Sequence, residues 1–197
     1  MITYSDAYQD VFVLKLFNTI GYYLDIGSSD GVTKNNTLLL EQNGWSGLLF
    51  DYNESHIQTA QQTRNSKAFL CDLSQPEILS NILDKENCPE TIDYISLDID
   101  DASLISLKHF PLHRYRFKFL TFEHDIYAQR PECIARKNIT PVLLDKFGYV
   151  KIADNVTCND LPYEDWYIDP QYFDINRFTD IINQTNLSYQ EIYKRLK

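Results

Sequence analysis

Five short apolar runs in this chain are each closed by a carboxylate. They cover residues 22–26 (with Asp25 next to last), 47–51 (Asp51), 68–71 (followed by Asp72), 92–98 (Asp98) and 117–123 (Glu123). Runs of this length, alternating with segments of helical spacing, are the pattern of βαβ units rather than of a sandwich or a bundle. Two later runs, 149–153 and 165–168, predict a closing hairpin around a polar loop over 154–162. Ligands of an open parallel sheet bind beyond the carboxyl ends of its strands, so these acids stand where a site belongs.

Helix starts are marked between the runs. Ser55 with Gln58, and Ser74 with Glu77, match a capping box, in which a serine hydroxyl takes one free backbone N–H and the later side chain reaches back. These predict helices beginning at 55 and 74. Asn36 is placed to cap a segment over 37–42 that stops at Gly44. An N-terminal helix over about 5–19 and a C-terminal one over about 174–196, with Ile175, Phe178, Ile181 and Ile182 at helical intervals, would flank a core over about 20–170. At 197 residues the chain reads as a single domain.

Composition narrows the function classes. Eighteen Lys and Arg against 28 Asp and Glu give a net charge of −10, which argues against a basic groove for nucleic acid and directs attention to small-molecule or carbohydrate partners. Cys71, Cys88, Cys133 and Cys158 form no C-x-x-C pair and read as reduced thiols with no metal role. Without a basic leader or a run of about 18 apolar residues, the expectation is a cytoplasmic protein with no membrane span.

The loop after the first run, Asp25-Ile26-Gly27-Ser28-Ser29-Asp30-Gly31, is D-x-G-x-x-x-G and not the G-x-G-x-x-G of a dinucleotide fold. An acid ahead of the turn repels pyrophosphate and accepts hydrogen bonds from an ammonium or hydroxyl group. Asp51, 26 residues after Asp25, is placed to accept both hydroxyls of a ribose, with a helix cap as the plain alternative. Asp72 could meet an adenine amine or cap the next helix. Three acids at three successive strand ends fit S-adenosylmethionine, whose amino acid, ribose and adenine each offer donors.

The strings Gly21-Tyr22-Tyr23-Leu24-Asp25-Ile26-Gly27-Ser28-Ser29-Asp30-Gly31, Asn36-Thr37-Leu38-Leu39-Leu40-Glu41 and Gly44-Trp45-Ser46-Gly47-Leu48-Leu49-Phe50-Asp51 resemble the FkbM family of S-adenosylmethionine-dependent methyltransferases. Asp93 to Asp100, Glu123-His124-Asp125, Phe147-Gly148-Tyr149 and Glu164-Asp165-Trp166 extend the likeness over about residues 8–170. Two positions depart from it: Asp51 stands where the family usually has Glu, and Asp101 where a Gly commonly follows D-I-D. The resemblance implies a Rossmann-like class I methyltransferase fold, an α/β sheet of seven mostly parallel strands with helices on both faces and the last strand antiparallel. It assigns Asp25, Gly27, Ser29 and Gly31 to the methionine part of the cofactor, Asn36 to its carboxylate, Asp51 to the ribose and Asp72 to the adenine.

Methyl transfer to a hydroxyl also needs help in deprotonating the acceptor. His124 is one candidate, as a general base. The other is a divalent metal, Mg²⁺ or Mn²⁺, held by Asp98, Glu123 and His124 with Asp100 in reserve, an arrangement similar to that of catechol-type O-methyltransferases. A third possibility is structural, with Asp98, Glu123 and His124 paired to Lys108, Arg114, Arg116 or Lys118. Tyr127, Tyr163 and Trp166 could shape the acceptor pocket, whereas His109 and His113 read as solvated. The expectation is an O-methyltransferase. Its rivals are an inactive module that binds the same cofactor and an NAD-dependent Rossmann enzyme.

Overall fold

A computed structural model describes residues 2–197. Seven strands form one sheet: β1 (Tyr22–Ile26), β2 (Ser46–Asp51), β3 (Lys67–Leu70), β4 (Thr91–Leu97), β5 (Arg116–Glu123), β6 (Val150–Cys158) and β7 (Leu161–Ile168). Their order is β3-β2-β1-β4-β5-β7-β6. β1 to β5 pair in parallel, and β7 is antiparallel to both of its neighbours. This is the expected sheet, and its topological switch lies between β1 and β4, where open α/β sheets bind ligands.

Alternation along the strands divides the interior in two. Leu24, Ile26, Leu48, Phe50, Ile95, Leu97, Leu120 and Phe122 face one core, covered by α4 (Ile78–Lys85), α5 (Ser103–His109) and α6 (Pro131–Asp145). Tyr23, Tyr94, Phe119, Trp166 and Ile168 face the other, covered by α1 (Gln9–Leu16), α2 (Leu38–Gln42) and α7 (Tyr189–Arg195). A third helix in sequence, α3 (Glu54–Thr63), places Ile57 and Ala60 against Leu49. Trp166 is fully buried among Phe12 and Phe119, with rings tilted or edge-on at 4.5 and 5.8 Å, so it is a core side chain and not part of an acceptor pocket.

Several element boundaries differ from the sequence expectation. α1 is shorter than 5–19 because the Asp10 carboxylate gathers the Thr3 and Ser5 hydroxyls and the Tyr4 N–H, wrapping the preceding chain instead of letting it coil. α3 is capped by Asn53, which accepts from the N–H groups of Ser55 and His56, while the Ser55 hydroxyl donates to the same oxygen. The Ser74 box does not form. Asp72 accepts the Ser74 N–H in a turn, Glu77 is left-handed at φ 66°, and α4 starts at Ile78.

The helix expected over 174–196 is broken by left-handed Asn183 and Asn186 into a 3-10 turn at Ile175–Phe178 and the separate α7. A capping box does form there, between Ser188 and Glu191. The polar loop expected over 154–162 is strand except for a two-residue turn, Asn159-Asp160, with both φ positive as a tight hairpin requires.

Candidate functional site

The loop after β1 is held by a buried polar cluster. Asp25 Oδ2 accepts from Asn35 Nδ2 at 2.8 Å and from the Thr37 hydroxyl at 2.7 Å. Asn35 Oδ1 in turn accepts the N–H groups of Thr37 and Leu38, so Asn35 does the capping work expected of Asn36. The Asn36 amide instead donates to Ser96 Oγ at 2.8 Å and ties the start of α2 to β4. Arg64, buried at the end of α3, reaches Gly31 O, Asn35 Oδ1, Tyr23 Oη and Thr37 Oγ1 and closes the cluster from behind.

At Gly27, φ is 95° and an added Cβ would lie 1.7 Å from Asp98 O, so only glycine lets the two strand ends come together. Ser29 donates its N–H to Asp51 Oδ2 at 2.9 Å, and Asp51 Oδ1 takes the Asn53 N–H at 2.7 Å. Each of those oxygens retains a second lone pair for a ligand hydroxyl.

A cleft of about 550 Å³ opens at the ends of β2, β3 and β4. Phe50, Leu70, Cys71, Leu73, Ile99 and Ala102 give it apolar walls, and Asp51, Asp72 and Asp100 supply acids. Asp72 both lines the cleft and anchors the turn before α4, so its two sequence readings coexist. Apolar walls with a few placed polar groups, beyond the carboxyl ends of parallel strands, suit a nucleoside.

Acids crowd the edge between β4, β5 and β7. Strand register sets Glu123 opposite Glu164. Tyr163 donates its hydroxyl to Asp98 Oδ2 at 3.0 Å, and its carbonyl accepts the His124 and Asp125 N–H groups. Burial pushes up the carboxyls of Asp25, Glu123 and Asp125, and neighbouring carboxylates add to the effect: Asp98 acts on all three, and Asp125 and Asp100 also act on Glu123. Burial pushes the Glu164 carboxyl up to about 8, against the Trp166 indole N–H that donates to it at 2.6 Å. This concentration of acid favours a ligand that brings positive charge.

The folded chain therefore holds a proton on Glu164 that the unfolded chain releases above about pH 4.5. The stability it confers is complete below that pH and is lost as the pH climbs through about 8. Glu164→Gln is expected to flatten this dependence, with a gain of about 4–5 kcal/mol at pH 9 relative to the parent and about 1 kcal/mol at pH 5, read from denaturant melts.

His124 has a different place from the one expected. It is fully buried, its Nδ1 accepts the Ile126 N–H at 3.1 Å, and its Nε2 lies 3.3 Å from Asp165 Oδ1. Both ring nitrogens are thus occupied, and the side chain holds the turn after β5 instead of offering a base or a metal ligand. Burial alone would raise Asp165, but its hydrogen bond with His124 and its ion pairs with Lys137 and Lys151 hold it below the usual carboxylate range. The acids brought together are Asp100, Glu123 and Asp125, one oxygen of each lying within 4.8 Å of the others. Asp98 stands beside Glu123, as its effect on that carboxyl records. The cations suggested as structural partners are elsewhere: Arg114 pairs with Asp84, Arg116 with Asp169 and Lys118 with Asp93. Tyr127, 44% exposed, stands beside Asp125 at the rim.

No known protein family and no curated protein matches this chain. Solved structures do. A Klebsiella pneumoniae protein named as an O-methyltransferase superposes with a TM-score of 0.59 at 10% identity, covering 83% of this chain and 79% of its own. A TehB-like S-adenosylmethionine-dependent methyltransferase from Corynebacterium glutamicum gives 0.53 at 12% identity (82% and 86%), and an rRNA methylase from Streptococcus thermophilus gives 0.53 at 13% (86% and 98%). At such identities the likeness establishes the fold: this chain has the Rossmann-like fold of the class I methyltransferases. Among the described residues no helix is long and apolar enough to cross a membrane.

Proposed function

We propose that this protein is an S-adenosylmethionine-dependent O-methyltransferase of the FkbM type, acting in the cytoplasm on a hydroxyl of a small molecule or sugar. The observation that carries the reading is the apolar cleft beyond the carboxyl ends of β2, β3 and β4, with an acid, Asp51, Asp72 or Asp100, at or just after the end of each. The residues fit the cofactor. Asp25 is presented by Asn35 and Thr37 through Oδ2, and among the described residues none donates to its Oδ1, which is the oxygen for the cofactor ammonium. Asp51 accepts the ribose hydroxyls and Asp72 the adenine amine, against the walls of Leu73, Cys71 and Ile99. The Gly27-to-Gly31 turn, with Ser29, brings backbone up to the methionine part, and Asn36 braces it through Ser96.

S-adenosylmethionine supplies an electrophilic methyl group for in-line displacement. The chain aligns the acceptor oxygen and takes its proton. Glu123, at the end of β5, and Asp98, just past β4 and adjacent to it at the rim, are the groups placed to take that proton. Tyr163 fixes Asp98, and Tyr127 borders the acceptor side. Four free thiols fit a reducing compartment. The net charge of −10 favours a neutral or cationic acceptor over nucleic acid.

Calorimetry with S-adenosylmethionine, S-adenosylhomocysteine and NAD, followed by a radiolabel screen of hydroxylated acceptors, tests the reading. Both sulfur nucleosides are expected to bind at one site with affinities on the order of micromolar. NAD binding without either of them would end it, and transfer of label to RNA alone would replace the acceptor class.

A further inference from the structure

One buried guanidinium stands behind both side chains that hold Asp25. Arg64, which ends α3, commits every Nη hydrogen to the cluster: Nη1 donates to Gly31 O at 2.7 Å and Asn35 Oδ1 at 3.0 Å, and Nη2 to Tyr23 Oη at 2.8 Å and Thr37 Oγ1 at 3.1 Å. Its Nε faces Glu41 Oε1 at 3.2 Å. Arg64 makes no hydrogen bond to Asp25, and among the described residues no cation forms an ion pair with that carboxylate.

A guanidinium donates and never accepts, so it fixes the direction of groups that can lie either way round. With Asn35 Oδ1 taken by Arg64 and by the Thr37 and Leu38 N–H groups, the amide nitrogen is the end left to face Asp25 Oδ2. With a lone pair of Thr37 Oγ1 taken by Arg64, the hydroxyl proton turns to the same carboxylate oxygen. Two parallel relays thus run from one cation to one oxygen, and hydrogen bonds chained in this way inside a protein polarise one another. Burial works against the charged form of Asp25, whereas Thr37, Arg64 and Asn35 work for it.

We infer that Arg64 is a positioning residue for the amino acid end of the bound nucleoside, acting through Asn35 and Thr37 to hold Asp25 with Oδ2 occupied and Oδ1 free for the ligand ammonium. The role rests on the methyltransferase reading. Lysine does not replace arginine here, because a single ammonium lacks the planar fork that serves Gly31, Asn35 and Thr37 together.

The experiment is calorimetry of the purified chain with two ligands that share adenine and ribose: S-adenosylhomocysteine, which carries the amino acid end, and 5′-methylthioadenosine, which lacks it. Arg64→Lys is expected to weaken the first at least about tenfold and to leave the second within about threefold of the parent, since the neutral ligand has no ammonium for Asp25 to meet. Thr37→Val cuts one relay and keeps the guanidinium; it should give the same selective loss, at about three- to tenfold. In an Asp25→Asn background, Arg64→Lys should cost S-adenosylhomocysteine no more than about a further twofold, because the role is exercised through Asp25 alone. Circular dichroism checks the fold of each variant, and Thr37→Val decides if Arg64→Lys does not fold. A role in packing alone weakens both ligands alike and does so in either background. Equal loss for the two ligands, undiminished binding of S-adenosylhomocysteine, or a full further loss on top of Asp25→Asn overturns the role of Arg64 and leaves the methyltransferase reading standing. A parent chain that binds neither ligand ends that reading and the role with it.

Discussion

Asp25→Ala is expected to abolish binding of S-adenosylmethionine and S-adenosylhomocysteine, with a loss of more than roughly a hundredfold by calorimetry. The carboxylate is buried and held in one orientation by Asn35 and Thr37, themselves fixed by Arg64. Truncating it removes the anion that meets the cofactor ammonium and leaves two buried donors unpaired, each costing about 1–3 kcal/mol. Asp25→Asn separates these effects: it nearly preserves shape, so a folded variant with the same loss of affinity attributes the loss to charge. Normal binding by either variant means that the site lies elsewhere.

The second large effect is expected at the opposite rim. Glu123→Ala should keep nucleoside affinity within about threefold and reduce turnover by at least roughly a thousandfold, the scale of losing a proton acceptor or an electrostatic anchor in the transition state. The contrast with Asp25 is spatial, because Glu123 lies at the end of β5, outside the lining of the cleft that would hold the nucleoside. A variant that turns over normally would exclude Glu123 from the chemistry, whatever its burial.

The first five strands were legible because their apolar runs are short, acid-ended and separated, whereas β6 and β7 run on through the polar stretch expected as a loop. Helix starts were less so. Ser, Asn and Asp cluster before α3 and α4, any of them can accept a first-turn N–H, and tertiary contacts select Asn53 and Asp72.

The His124 assignment failed because Asp165, on a strand 41 residues away, claims its Nε2 while the Ile126 N–H takes its Nδ1. Alternation governs residues inside a strand, and β4 and β5 end at Leu97 and Glu123. The same rule groups Trp166 with Phe119 in the core. Arg64 and Arg136 carry no comparable local signal, since their partners lie far along the chain. Only the buried stripe Cys133, Arg136, Thr140 and Leu144, at spacings of three and four, hints that one arginine turns inward.

The hairpin of β6 and β7 reaches past the end of β5, turns at its tip at Asn159-Asp160 and delivers Tyr163 to Asp98. Such an arm is anchored by the sheet at one end and free of it at the other. Residues can be added or exchanged at the tip without disturbing a single rung of the ladder. The cleft proposed for the nucleoside, at the ends of β2, β3 and β4, does not include the arm. On the methyltransferase reading, redrawing that one turn changes the acceptor and keeps the methyl donor.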